Sequence, residues 1–419
     1  MDNIEGNVTA DTPPATPPTR PVVIAQTPAR RGRGRQAGMW LARGALALCF
    51  LASFYLSVFP SGRATVRAFS ILPGLLAAAQ PAWEAPVTEP IIHTQRTLTS
   101  PTGTVYLDIY TPSTSVPPVP GAREGILLIP GVGDQRKDAQ LINFSRTLAG
   151  SGLVVMDLTT QTLIDNRLGV SDKEAVVQAF EVLQHWPGVG TNRVGLLGFS
   201  AGGPLMCFAA ADTRIRDQVA FVTLFGGYFD AMTLLQTIGR RALTENGQTQ
   251  PWHPVPYPLQ VLADTIAPLL PGNDGQTLAS AFAPNGSESL DAAKIAQLAP
   301  SSAAAYHLLA GDEPTQVNAN LAALSPEVRA LLLSLSPSRV VDQIRAPIYL
   351  LHDRSDQFVP VSESLEFAAD LARLHHSYDF AEFGIFQHVE VRANSGFSQL
   401  VGDGQSLLRL ASEVMQAGS

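Results

Sequence analysis

The chain has 419 residues, 45% of them hydrophobic and 15% charged, a balance that fits a folded body with an added apolar segment and excludes a largely disordered chain. Its formal charge of -8 is unevenly spread: residues 1–63 hold seven Arg and three acids, which leaves 21 basic against 33 acidic residues from position 64 onward. An acidic body without a basic stripe excludes nucleic-acid binding, where Lys and Arg must neutralise phosphates. The two cysteines, Cys49 and Cys207, give neither a disulfide framework nor a metal site.

Residues 1–38 are rich in Pro, Thr, Ala and Arg, show no apolar periodicity, and are expected to be a disordered tail. Gly44 to Pro60 carries no charge, and with Met39 to Leu41 added and Arg43 reaching the interface, residues 39–60 are expected to form a short transmembrane anchor. Arg30, Arg31, Arg33 and Arg35 precede it, and basic clusters of this kind stay on the cytoplasmic side. The expected protein is therefore single-pass, membrane-anchored through its N-terminal helix, with an extracytoplasmic body. Residues 61–90 read as a linker containing a second apolar stretch, Ala68 to Trp83. That stretch keeps two other topologies open, a signal peptide cut near Ala79 and a membrane hairpin.

From Ile91 onward short strands and helices alternate. Ile91–Ser100 and Thr104–Thr111 flank Pro101-Thr102-Gly103, a turn that predicts a hairpin. Strands follow over Gly125–Pro130 and Leu153–Thr159, separated by a helix over Asp138–Ala149. A helix over Asp172–His185 then leads to a strand over Arg193–Phe199, a helix from near Gly202, and strands over Val219–Phe225, Pro347–His352 and Tyr378–Phe383. This alternation predicts a mostly parallel sheet with helices on both faces. The stretch 227–346, with helical segments such as Leu290–Leu298 and Pro326–Leu335, is too long for a connection. It reads as an inserted helical subdomain between core segments 91–226 and 347–419.

The chemistry centres on Gly198-Phe199-Ser200-Ala201-Gly202. A serine at so sharp a strand-to-helix turn sits in a strained conformation, and only small residues fit two positions before and after it. The turn exposes the hydroxyl and aims the Ala201 N–H, at a helix N-terminus, toward a developing oxyanion. A serine hydroxyl needs a base, and the base needs an orienting acid. Downstream, Asp356 lies in the loop after the strand ending near His352, and His388 in the loop after the last strand, giving the order Ser, Asp, His.

With these motifs the region from Ile91 to the C-terminus, apart from the insertion, resembles the α/β-hydrolase superfamily. It is most similar to its dienelactone-hydrolase-like and cap-bearing serine esterase branches. The family pattern of strand, His-Gly, short gap, Asp and Val-Pro matches His352 to Pro360, except that Asp353 replaces Gly. The resemblance implies Ser200 as nucleophile, Asp356 as triad acid and His388 as base. It also implies the N–H of Val132 as the second oxyanion donor, with Gly133 the alternate; Pro130 stands where the family usually has His. Asp353 reads as a solvated or capping residue and Asp230 as an acid used in some branches, while His352 and the His375-His376 pair read as strand-end and surface residues. The insertion, with Trp252, Tyr257 and Phe282, lies where caps enter in this superfamily.

The expected activity is hydrolysis of a carboxylic ester through an acyl-enzyme on Ser200, with no cofactor and no metal. Peptidase, thioesterase and acyltransferase activities share the machinery, and a catalytically silent surface binding protein is a further alternative. The expected partner is a small-molecule or acyl substrate, and the oligomeric state is not legible.

Overall fold

The computed structural model describes residues 55, 59–75, 90–113, 123–245, 247–286, 289–392 and 397–417. Its core elements, in chain order, are helix α1 (Pro60–Leu75), strands β1 (Ile91–Ser100), β2 (Gly103–Pro112) and β3 (Arg123–Ile129), helix α2 (Ala139–Gly150), β4 (Val154–Thr160), α3 (Lys173–Gln184), β5 (Val189–Phe199), α4 (Gly202–Ala210), β6 (Val219–Phe225), β7 (Ile348–Asp353), α5 (Val361–Arg373), β8 (Tyr378–Phe383) and α6 (Phe397–Ala417). The eight strands form one sheet in the order β1-β2-β4-β3-β5-β6-β7-β8. β1 pairs with β2 and β2 with β4 antiparallel, and all later pairs are parallel. This is the α/β-hydrolase order, with the glycine-flanked serine directly after β5.

Both faces of the sheet are covered, as near-continuous apolar strands require. Successive residues of β3 point to opposite sides: Leu127 and Ile129 pack with Phe180, Met206 and Phe367 of α3, α4 and α5. Ile126 and Leu128 pack on the other side, with Ala68, Leu148 and Leu410 of α1, α2 and α6. Local chemistry sets the ends of several elements. Asp138 caps α2 by accepting from the Leu141 N–H (2.8 Å), and Gly103 takes the positive φ of 118° that the β1–β2 turn needs.

Residues 61–75, expected within a linker, are helical. Ala64 and Ala68, four apart, are buried against the body while Val66 and Phe69 stay exposed. Arg67 fixes the helix by donating to the Ser151 carbonyl (2.9 Å) and pairing with Glu124 (3.2 Å). The expected span 39–60 lies outside the described residues apart from Tyr55, Phe59 and Pro60, as does the expected tail 1–38. Among the described residues no helix is long and apolar enough to cross a membrane.

Between β6 and β7 the inserted segment builds its own apolar cluster, in which Leu235, Ile238, Leu262, Phe282, Leu308 and Trp252 are buried. Its helices include Ala231–Arg240, Pro256–Ile266, Pro300–Ala310 and Pro326–Ser334, and it also contains a small antiparallel hairpin, Ala242–Glu245 with Gln248–Pro251. The helix expected over Leu290–Leu298 shrinks to the single turn Ala292–Ile295, capped by Asp291.

Candidate active site

Ser200 leaves β5 with φ +50°, a left-handed conformation that costs a non-glycine residue on the order of 1–3 kcal/mol. Surrounding contacts hold it there. Its N–H donates to the Phe225 carbonyl of β6 (2.8 Å), and its own carbonyl accepts from the Gly203 N–H (3.1 Å). The flanking glycines are required by space: a Cβ on Gly198 would lie 2.5 Å from Gly202 and Gly203 backbone atoms, and one on Gly202 would lie 2.5 Å from the Ile129 carbonyl oxygen. β5, β3 and α4 thus meet at van der Waals distance under the serine.

His388 also has a left-handed backbone, φ +60°, and is buried. Its Nδ1–H donates to Asp356 Oδ2 at 2.6 Å, which fixes the tautomer and leaves Nε2 as an acceptor. The Phe358 ring stacks on the imidazole at 4.6 Å between centroids. Gly226, with φ +64°, makes room for the ring, since a Cβ there would stand 3.0 Å from His388 Cε1 and Nδ1. Asp356 Oδ1 is itself held by the N–H groups of Phe358 (2.7 Å) and Val359 (3.1 Å).

Of the two readings of Asp353, solvated or capping, the structure shows the second, since it accepts from the Ser355 N–H two residues on. It is fully buried: Oδ2 accepts from the backbone N–H of His388 (3.1 Å) and from Arg392 (3.2 Å), while Oδ1 accepts from the Ser355 N–H (3.1 Å). With all of these donors converging on it, the carboxylate positions the histidine loop. His352, expected as a plain strand-end residue, is fully buried beside Asp356, at 3.4 Å. It donates from Nε2 to the Val359 carbonyl (2.9 Å) and accepts at Nδ1 from Ser364 (2.7 Å). Burial pushes its pKa down, against the pull of Asp356, and keeps it neutral. Asp230 lies elsewhere, capping the helix Ala231–Arg240 through the Met232 N–H (2.8 Å) and accepting from Ser338 (2.6 Å). His376 bonds at the sheet's far edge to the Ile344 carbonyl (3.1 Å), away from Ser200.

The loop after β3 separates the two oxyanion candidates. The N–H of Gly133 is taken by the Leu163 carbonyl at 2.8 Å, and the Val132 carbonyl accepts from Gln135 Nε2 at 3.0 Å with the Tyr257 hydroxyl 3.2 Å away. The Val132–Gly133 peptide is therefore pinned at both ends. Among the described residues the N–H groups of Val132 and Ala201 have no acceptor, and both residues line the same cavity of about 540 Å³ as Ser200 and His388. Ser200 and His388 share this wall without a hydrogen bond between them; such contacts often tighten only around substrate.

Sequence reasoning missed two supports. Asp403 of α6 accepts from the Gly384 (2.6 Å) and Ile385 (3.0 Å) N–H groups and so anchors the loop leading to His388. Glu363 of α5 is buried and accepts from the Phe229 and Asp230 N–H groups, both at 2.9 Å, at the point where the insertion leaves β6. Burial raises its pKa to about 8. The Val-Pro step at Val359-Pro360 just before α5 was the available sign that this helix abuts the acid loop.

No protein-family model matches the chain, and no curated protein does. Several solved structures are similar to it in part. The puromycin-hydrolyzing peptidase of Mycobacterium tuberculosis shares 18% identity over 78% of this chain and 39% of that one, with a TM-score of 0.45. The Pyrococcus horikoshii acylaminoacyl peptidase shares 13% over 74% and 40%, with a TM-score of 0.43. Esterase B of Lactobacillus Rhamnosis shares 15% over 83% and 96%, with a TM-score of 0.42. The chain spans 39% and 40% of the length of the two peptidases.

Proposed function

We propose that the chain is a serine hydrolase that cleaves carboxylic esters through an acyl-enzyme on Ser200. The observation that carries this reading is the pairing of a strained, glycine-flanked serine with an imidazole held by a carboxylate at 2.6 Å in the wall of one cavity. In this scheme His388 Nε2 takes the Ser200 proton as Oγ attacks the carbonyl, and Asp356 stabilises the imidazolium without accepting its proton. The Ala201 and Val132 N–H groups receive the oxyanion. His388 then returns the proton to the departing alcohol, and water, activated by the same base, releases the acid.

Peptidase, thioesterase and acyltransferase chemistry would use the same groups. The cavity's lining of Leu, Val, Ile and Phe side chains favours an apolar ester over a peptide backbone, whose polar groups would need partners there. The test is labelling with a fluorophosphonate probe, followed by a panel of esters, amides and thioesters. Labelling that is lost in Ser200→Ala, together with faster turnover of esters than of amides, is the expected result. Labelling that persists in Ser200→Ala sinks the nucleophile, and no labelling of the native chain favours a silent binding protein.

We also propose that residues 39–60 hold the body at a membrane with its active site outside, on the strength of the uncharged run and the basic cluster before it. Protection of the body from protease added to intact cells would count against that side.

A further inference from the structure

The cavity at Ser200 does not end between cap and body. One arm runs under the inserted segment, past Tyr257, Val261 and Phe358. A second arm turns the other way, along the sheet face covered by α1, α2 and α6. Phe199 and Phe225 stand near Ser200, with Thr223, Phe221 and Ile126 deeper and Glu124 at the far end, where Arg67 pairs with it. Strand alternation puts Phe221, Thr223 and Phe225 on one side of β6, and Glu124 and Ile126 on the same side of β3. From Gly131 beside Ser200 to Glu124, the extended chain covers about 20 Å at the rise of a strand. An extended alkyl chain advances about 1.25 Å per carbon, so this length accommodates on the order of sixteen carbons.

One feature separates this arm from ordinary packing. Native interiors contain few voids larger than a water molecule, yet this one is walled by core residues: Leu410 of α6 is 2% exposed and Phe221 3%. An apolar surface left unfilled beside Ser200 points to an apolar occupant from outside the chain.

On the serine-hydrolase reading of Ser200, we infer that the sheet-face arm holds the acyl chain, and that the preferred substrates are esters of long, apolar carboxylic acids. The acyl half stays bonded to Ser200 through both steps, while the alcohol leaves and water enters past His388. The sheet-face arm, walled by buried core side chains, suits the half that stays, and the arm beneath the insertion suits the half that is exchanged. The Glu124–Arg67 pair sets the floor and with it the longest chain that fits.

The experiment uses the purified full chain in detergent, with p-nitrophenyl esters from acetate to palmitate. For the native chain, kcat/KM is expected to rise by about tenfold or more from butyrate to dodecanoate. Ala411→Phe, which puts a ring into the arm from α6, is expected to lower the dodecanoate-to-butyrate ratio by about tenfold or more. Phe221→Ala, which enlarges the arm instead, is expected to move the optimum to a longer ester. A flat chain-length profile, or a ratio unmoved by both variants, overturns the acyl arm even though Ser200 is labelled. Absence of both labelling and ester turnover overturns the reading of Ser200 itself.

Discussion

The two faces of the sheet are built differently. On the face of α3, α4 and α5 the helices present many small side chains, such as Ala175, Ala179, Ala209 and Ala210, all fully buried, and lie close against the strands. The face of α1, α2 and α6 is lined by rings: Phe199 lies 5.3 Å edge-on from Phe144, and Phe225 4.8 Å edge-on from Phe386. Small side chains allow helix and sheet backbones to close up, whereas rings set edge to face hold neighbouring elements apart. The close-packed face holds the Ser200 turn rigid, and the ring-lined face leaves the space beside it.

The sharpest way to break this contrast is Gly202→Ala, because the added carbon would meet the Ile129 carbonyl at 2.5 Å on the filled side. Displacement of the serine turn is expected to cut turnover of the ester panel by at least about a hundredfold. Undiminished turnover would show that the face gives way. Next comes a matched pair in urea unfolding. Phe180→Ala on the filled face is expected to cost about 3–5 kcal/mol and Phe221→Ala on the open face about 1–2 kcal/mol less, because part of that ring already borders a void. Equal costs would erase the distinction.

Glu363, on the filled face, gives a pH-dependent version. Its carboxyl is raised from 4.5 to about 8 in the folded state, so between those values the folded chain binds more protons than the unfolded one. Stability from this group is present at low pH and is lost as pH rises through about 8. Glu363→Gln is expected to flatten that loss in melting curves taken from pH 5 to 9; an unchanged slope would mean that another group sets it. The smallest effect concerns the open face. Thr223→Val removes the unpartnered hydroxyl and is expected to stabilise by about 1 kcal/mol in the same urea assay, whereas a loss would mean that the hydroxyl is satisfied.

The parallel strands and the serine turn were legible because their signals are local: apolar runs bounded by Gly and Pro, and glycines at fixed offsets from Ser200. The capping role of Asp353 was legible, but not its burial, which depends on a backbone N–H 35 residues away and on Arg392, neither of which shows in the motif around it. The choice of Val132 over Gly133 rests on the carbonyl of Leu163, equally remote. Helix α1 was taken for linker because alanines form its buried stripe, and alanine gives too weak a periodic signal to separate from a general apolar run. The sheet-face arm could not be read at all, since a void is a property of how rings pack and no single residue encodes it.

The inserted segment is tied to the chemistry more tightly than its own apolar cluster suggests. Trp252 donates from its indole to the Asp356 carbonyl (2.7 Å), the Val255 N–H to the Gln357 carbonyl (2.9 Å), and the Tyr257 hydroxyl lies 3.2 Å from the Val132 carbonyl. Three residues within a six-residue stretch thus lie against both the loop of Asp356 and the loop of Val132. For anyone building chimeras to change specificity, the useful cut points lie after Tyr257, because a transplanted cap that brings its own version of 252–257 would also replace the contacts to Asp356, Gln357 and Val132.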